Sequence, residues 1–595
     1  MTLTLRTRTA TGATTKGARL TSSELDGNFL HLLDRGAVSV KDFGAVGDGV
    51  TNDNAAVADA MADAMTAGQA LYFPNGTYLL TGWTQFAVTS DLTLFAHFDA
   101  TLKGTSSLRL LDPQNGRIRL SGLKFDTWEY VVQTGADTTY TTPTIHVQRC
   151  WFTSVNFPID HQRPCTEPII EFNRIDTYRN GIRIGQNTYA DQDKWANHRI
   201  VGNRFKDGVQ TSASDAYAIL VYGKQAVISD NVVDTVTGAS TSGAFGIYGK
   251  LRYSVISCNT ITAIGTAGTS TDIRGIILKG AAANDTANGV QGFSNVVSDN
   301  VVYGDGSKTI GITIGGAEAN SKATGNICEN CLKGLSAEGT ANLFQLSSNK
   351  VVGPANTSGF IGINLNHTGD DCQVTSNAVD TTFNAINVNT GNARNIKLSD
   401  NDMTNCGGVA ILCSSGGTKD GFTITGNHVD GATRFVYFDG AITKLICQNN
   451  NATALTDASN LWIDTQAATI KSGVIKDNFP ITIATADATS TPAFKIHAAD
   501  DVCVTLTVRA QAVQSDGSNR ALYWKHGVFY RDGGDMQQSA AGTTTLVADD
   551  ESDAGWGTAA LGVTGSQARV LITGKAGPTD IFWSLRPEVE ISSTA

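Results

Sequence analysis

The chain is lightly charged, with 17% Asp, Glu, Lys and Arg, so a place where acidic, basic, amide and aromatic residues converge carries information. Segments of the form Gly-apolar-any-apolar-any recur at residues 275–279, 311–315, 334–338 and 362–366, with a looser copy at 384–388. If these are strands, alternate residues point to one side. Stacking them gives an outward column of Tyr248, Lys279, Gly315, Glu338, Asn366, Asn389, Leu412 and Asp439, with Asn364 on the same side of its strand. Glu318 follows Gly315 by three residues, and His367, Asp370 and Asp371 follow Asn366. Glycosidic hydrolysis asks for two carboxylates about 5–9.5 Å apart, and strands about 4.8 Å apart can supply them. Glu338 and Glu318 are therefore the first catalytic pair to consider, with Asp370 and Asp371 next. Tyr248, Lys279, Asn364, Asn366 and His367 are the expected substrate contacts, offering a stacking face and hydrogen-bond partners for a sugar chain. Asp272 and Arg274, from a long excursion at 260–299, join them. Two rival readings use the same face: a lyase with Lys279 or Arg274 as base, and a surface that binds glycan without cleaving it.

Such a column needs a scaffold that repeats. Between residues 170 and 478 the pattern aliphatic, any, any, Asn, any, apolar returns at Asn173, Asn203, Asn231, Asn259, Asn300, Asn326, Asn349, Asn377, Asn401, Asn427, Asn449 and Asn478, at intervals of 22 to 41 residues. A period in that range marks a repeat architecture. β-Branched residues dominate and a 3.6-residue period is lacking, so the repeat is made of strands. Each repeat is long enough for three short strands and three bends, one coil of a right-handed parallel β-helix. Asparagine suits the bend because it tolerates left-handed backbone and its amide can bond the amide of the next coil. Earlier coils at 120–125 and 146–152 bring the expected number to about fourteen.

Sixty-two glycines against eleven prolines fit many short strands and tight turns. A net charge of -11 leaves no basic face for a phosphate backbone, so nucleic acid is not an expected partner. There is no apolar run of about 18 residues and no basic-then-apolar leader, so neither membrane insertion nor signal-directed export is expected. Of ten cysteines, Cys328 and Cys331 form one C-x-x-C without a second pair at zinc spacing; they read as small apolar filler. No metal or cofactor is expected.

The N-terminal segment carries a capping box at Thr21 and Glu24 and a staple at Leu20 and Leu25, predicting a short helix with Phe29, Leu32 and Leu33 on its apolar side. Next come Phe43, Gly44, Ala45, Val46, Gly47, Asp48 and Gly49, then Thr51, Asn52 and Asp53, a helix over 55–65 and a strand within 70–78. This block resembles the opening of the pectate-lyase-like β-helices of bacteriophage tailspikes, in which a loop and helix cap the first coil; Asn52 stands where that family has Asp. The resemblance is sharp over residues 20–80 and rests on the repeat beyond. It implies a homotrimer in the virion, assembled in the host cytoplasm and joined to the phage tail or baseplate through residues 1–36. It also implies a β-helix over 37–480 that binds and degrades a bacterial surface polysaccharide, capsule or O-antigen. Residues 481–595 alternate apolar and polar, as at 502–508, predicting an antiparallel β-sandwich. The resemblance gives that sandwich a role in trimer formation and, in some relatives, sugar binding. Trp524, Phe529, Trp556 and Trp583 read first as core. A loop at 186–199 with Tyr189, Asp191, Asp193, Lys194 and Trp195 offers further sugar contacts or trimer contacts.

Overall fold

The computed structural model describes residues 37–455 apart from 98, 135–143, 187–194, 213, 240–241, 267–271, 280–293, 316–319, 340–342, 368–369, 390–393, 415–418 and 440; two short strands lie before 37, and beyond 455 it describes chiefly strands. Glu318, Asn478, Trp556, residues 189–194 and the helix expected at 20–33 lie outside the described residues. The chain divides into two compact units, Met1–Tyr178 and Arg179–Ala595.

In the first unit, parallel strands Leu92–Ala96, Ile118–Ser121, Ile145–Gln148 and Ile169–Glu171 stack in register, so that Leu94, Leu120, Val147 and Ile170 form one buried row. The expected cap is present. A helix spans Asn54–Ala67 and buries Val57, Ala60, Met61 and Ala64, one face at helical spacing. Asp53 fixes the entry loop by accepting from the backbone N–H groups of Val46 at 2.6 Å and Gly47 at 3.0 Å. Asn52 keeps a role of its own, accepting from the N–H groups of Asn54 and Thr81.

Within the second unit, the strands of successive coils build three parallel sheets. A coil runs through a strand such as Val227–Ser229, turns at Asp230 into Val232–Val233 and Val236–Gly238, and returns along Ala244–Arg252. The turn corrects the sequence reading in two ways. The left-handed residue is the one before each ladder asparagine, as at Asp230, Asp299 and Asp400 (φ 57° each), or glycine at 202, 325 and 426. The last described rung is Asn450; Asn449 is the left-handed residue before it, at φ 58°. The buried aliphatic slot three residues ahead is then filled by Cys447, fully buried, and not by Ile446.

The asparagines form a continuous interior ladder. From Asn231 through Asn450, each side-chain oxygen accepts from both the backbone N–H and the amide of the preceding rung, starting with Asn203; the side-chain bonds are 2.9–3.0 Å long. From Asn231 onward each amide also donates to a carbonyl of the coil before, as Asn300 does to Ile256 at 2.9 Å. Carboxamides pack at the strand spacing with donors and acceptors matched, so burying them costs little.

The third sheet carries the outward column. Its strands include Ala216–Lys224, Ala244–Arg252, Ile273–Lys279, Ile310–Gly315, Lys333–Gly339, Ile361–His367, Asn384–Val388, Val409–Cys413 and Arg434–Phe438, all parallel. Their glycines break the simple alternation. A Cβ on Gly275 would sit 2.4 Å from Val302 Cγ1 and 2.6 Å from the Gly311 carbonyl oxygen, so that position faces the interior. Ile276, next in sequence, stacks with Ile247 and Ile312 in the interior row. Two successive inward residues throw Arg274 onto the outer side, where Ile277 and Lys279 also lie.

At the C-terminal end, Ile470–Lys476 pairs in parallel with Ile442–Gln448 and antiparallel with Ile581–Ser593, so the open edge of the coil sheet is covered. Val502–Gln514 lies between Arg520–Arg531 and Ile581–Ser593, all antiparallel. A second antiparallel sheet joins Ser490–His497, Gln567–Thr573 and Thr558–Thr564. Val504, Leu506, Val508, Ala510 and Phe529 are buried as core. Trp524 departs from its expected core position: it pairs with Arg509, on the side opposite Val508 and Ala510, with the guanidinium 4.7 Å from its ring centroid.

Candidate functional site

Two outward rows stand side by side on the third sheet. One contains Lys279, Gly315, Glu338 and Asn366. The other runs Leu220, Tyr248, Ile277, Thr313, Ser336, Asn364, Asn387, Leu412 and Tyr437. Tyr248 and Leu412 therefore belong to the second row, not to that of Glu338. The register pairs Gly249 with Leu278, so Lys250 is the neighbour of Lys279. Aligning Gly246 with Gly275 would have given this from the sequence.

The rows meet at one charged centre. Arg274 Nη1 donates to Glu338 Oε2 at 2.9 Å and to the Thr313 hydroxyl at 2.9 Å, while its Nε donates to Asp272 Oδ1 at 2.7 Å. One guanidinium thus bridges two carboxylates, which keeps the two oxygens it binds within about 8 Å of each other. Its side chain is 14% exposed, against 26% for Glu338 and 54% for Asp272. Burial alone would lower the Arg274 pKa, but Glu338 and Asp272 more than offset it and the pKa is raised. The other oxygen of Glu338, Oε1, accepts from the Ser336 hydroxyl at 3.0 Å. Gly315 leaves a notch in the row: a Cβ there would meet only ordinary contacts, the Glu338 Cβ among them at 3.8 Å.

The remaining expected residues separate into three groups. Asn366 is exposed beside Glu338, and Lys279 is exposed across Gly315 from it, as the column required. Asn364 is 2% exposed and lies on the floor of the face, bonded to Ser336 at 3.3 Å. His367, expected as a substrate contact, is buried at 1% exposure. It packs edge-on against Phe344 at 4.8 Å, with Cys372 Sγ 3.8 Å from its Nδ1, because it follows the outward Asn366 in the strand and so points to the interior. Asp370 and Asp371 lie on the following corner, where Asp371 takes φ 60° and accepts from Asn395 at 2.9 Å. Trp195 of the 186–199 loop is also buried, at 1%.

Sequence reasoning missed Thr313, Ser336, Asn387, Ser414 and Lys250. A signal was present: the third position of the Gly-apolar-any-apolar-any segment changes from Tyr248 and Ile277 to Thr313, Ser336, Asn364 and, where Ala385 stands in for the glycine, Asn387. Among the described residues there is no group of three or more His, Cys, Asp or Glu able to hold a metal. The arrangement offers an anchored carboxylate, a cation beside it, and a row of amides and hydroxyls, the functional groups that acid-base cleavage of a sugar chain requires.

Residues 37–291 match the family described as rhamnogalacturonase A/epimerase, pectate lyase-like. No curated protein matches the chain. Among solved structures it is similar to the tailspike protein of E. coli bacteriophage HK620 in complex with pentasaccharide, at 12% identity over 98% of this chain and 97% of that one, with a TM-score of 0.41. A double mutant of the same tailspike with pentasaccharide gives 11% and 0.41, and a mutant with hexasaccharide gives 12% and 0.39, at the same coverage.

Proposed function

We propose that this chain is a phage tailspike that binds a bacterial surface polysaccharide along the outward face of the third sheet and cleaves it by hydrolysis at Glu338. The observation that carries the reading is the guanidinium of Arg274 bridging Glu338 and Asp272, beside the hydroxyls of Thr313 and Ser336 and the amides of Asn364 and Asn366. The match of residues 37–291 to a pectate-lyase-like family supports it. Glu338 acts as base or nucleophile: both its oxygens accept hydrogen bonds, and giving up a proton would require one of them to become a donor. Arg274 holds the carboxylate in place and offers positive charge to the reacting centre. The general acid is a second carboxylate, Glu318 or Asp272. Lys279 and Asn366 flank Glu338 along the row and contact the glycan, and Tyr248 supplies a stacking face farther along. Residues 1–36 attach the protein to the tail or baseplate, 37–480 act on the glycan, and 481–595 hold a homotrimer together, a state that light scattering checks as three times the mass of one chain.

The second reading, a lyase, has its own observation: Lys279 is exposed in the row of Glu338 with only Gly315 between them. Incubation with purified capsular and O-antigen polysaccharides, followed by mass spectrometry, separates the readings. Hydrolysis gives new reducing ends and oligosaccharides carrying one added water, without ultraviolet absorbance. A lyase gives unsaturated, absorbing products one water lighter. Binding without any fragment would leave a glycan-holding adhesin in place of an enzyme.

A further inference from the structure

Three neighbours of the second row, Ser336, Asn364 and Asn387, join Ser414 and Glu338 in a chain of hydrogen bonds that all run one way. Ser414 donates its hydroxyl to Asn387 Oδ1 at 3.2 Å, and the Asn387 amide donates to Asn364 Oδ1 at 3.3 Å. The Asn364 amide donates to Ser336 Oγ at 3.3 Å, and Ser336 donates to Glu338 Oε1 at 3.0 Å. Ser336, Asn364 and Asn387 are 1%, 2% and 8% exposed although their strands present them to the outer side. A serine hydroxyl has one proton. Because Asn364 already donates to the Ser336 oxygen, that proton is free to point at Glu338. The register builds the line, since Ser336, Asn364 and Asn387 are direct neighbours on three successive strands, and bonds polarised in one direction reinforce each other.

We propose that Ser414, Asn387, Asn364 and Ser336 are positioning residues that fix the direction of the Ser336 hydroxyl and thereby keep Glu338 a proton acceptor during cleavage. The proposal rests on the reading of Glu338 as base or nucleophile. Its mechanism is the sense of the chain. An aspartate at 387 can only accept, so Asn364 turns its amide toward it, the Asn364 oxygen then faces Ser336, and the Ser336 proton swings away from Glu338. A change of one atom two strands from the carboxylate would thus remove a donor from it, without contact.

The test compares Asn387→Asp, Ser336→Ala, Ser336→Thr and the double variant Ser336→Ala/Asn387→Asp in the full chain. Asn387→Asp and Ser336→Ala are each expected to lower kcat by about tenfold with KM within about twofold, and to move the acid limb of the kcat profile up by about one pH unit. Ser336→Thr, which keeps the hydroxyl, is expected to restore the profile, and the double variant to be no worse than Ser336→Ala alone. An unmoved acid limb in Asn387→Asp, or a full tenfold added by it on the Ser336→Ala background, would overturn the relay. Should Asn387→Asp fail to fold, Ser414→Ala takes its place, with a smaller loss of about threefold in kcat expected and a loss in KM alone contradicting the proposal. Infrared difference spectra, with the carboxylate band assigned by its disappearance in Glu338→Gln, give a readout free of activity. That band is expected to shift in Asn387→Asp but not when Ser336 is already alanine, and an unshifted band sinks the relay. Full activity in Glu338→Gln would instead remove the underlying reading while leaving the infrared result to decide the relay.

Discussion

Two stacks of side-chain amides run through the same coils, and they differ in where their hydrogen bonds end. The interior ladder, Asn203 to Asn450, is linked by bonds of 2.9–3.0 Å and spends its remaining capacity on backbone groups. The outer stack, Asn364 with Asn387, is linked at 3.3 Å and runs through a hydroxyl to a carboxylate that is one-quarter exposed. The same residue at the same strand spacing therefore has two uses. A stack that closes on the main chain holds the fold together. One that closes on an ionisable group aims that group at solvent and at whatever binds there.

The comparison breaks most visibly at the ladder. Asn300→Ala would remove the acceptor shared by the backbone N–H and the amide of Asn259, at 3.0 Å and 2.9 Å, and the Asn300 amide's own bonds to Ile256 and Asn326. Chemical denaturation is expected to show a loss of about 4 kcal/mol, with kcat unchanged in the protein that remains folded. Next in size is an interior group that titrates stability. Burial lowers the His198 pKa to about 4 from 6.5, while its Nε2 stays 3.1 Å from the Tyr222 carbonyl oxygen. The folded state thus holds it neutral while the unfolded chain takes up a proton below about 6.5. Its contribution is complete above that value and is lost as pH falls towards 4, on the order of 3 kcal/mol in all. His198→Gln should flatten unfolding free energy against pH across that window; an unchanged slope would refute the assignment.

Outer-row changes should move activity and leave stability alone. Arg274→Met removes the bridge to Glu338 and Asp272 while keeping much of the packing, and is expected to cost about 100-fold in kcat with little change in melting. Asn366→Ala, at an exposed position beside Glu338, should raise KM about threefold and leave kcat within twofold. If Arg274→Met unfolds the protein instead, the outer row is structural and the contrast between the stacks disappears.

The interior was the more legible of the two because its logic repeats. An asparagine three residues after an aliphatic residue, once per coil, announces the ladder, and only where Cys447 replaced the aliphatic residue did the rung slip to Asn449. The outer site was legible by type but not by partner. Glu338, Lys279 and Asn366 fall into one row by strand alternation. Arg274 does not, since it reaches the outer side through the double inward step at Gly275 and Ile276. Its bond to Glu338 spans 64 residues of sequence, which no local pattern reveals. His367 shows the opposite failure: it follows the outward Asn366, so alternation itself turns it inward, and the expectation of a substrate contact followed its nearness to Asn366 in sequence and not that rule.

The central claim, that cleavage is centred on Glu338, is tested most directly by Glu338→Gln. The substitution keeps the shape of the side chain and its bond to Ser336, and removes the charge that Arg274 holds. Product release from the polysaccharide that the wild type degrades should fall by about 100-fold or more, with glycan binding and thermal unfolding unchanged. Wild-type turnover in Glu338→Gln would contradict the account and move the search to Asp272, Asp370 and Asp371.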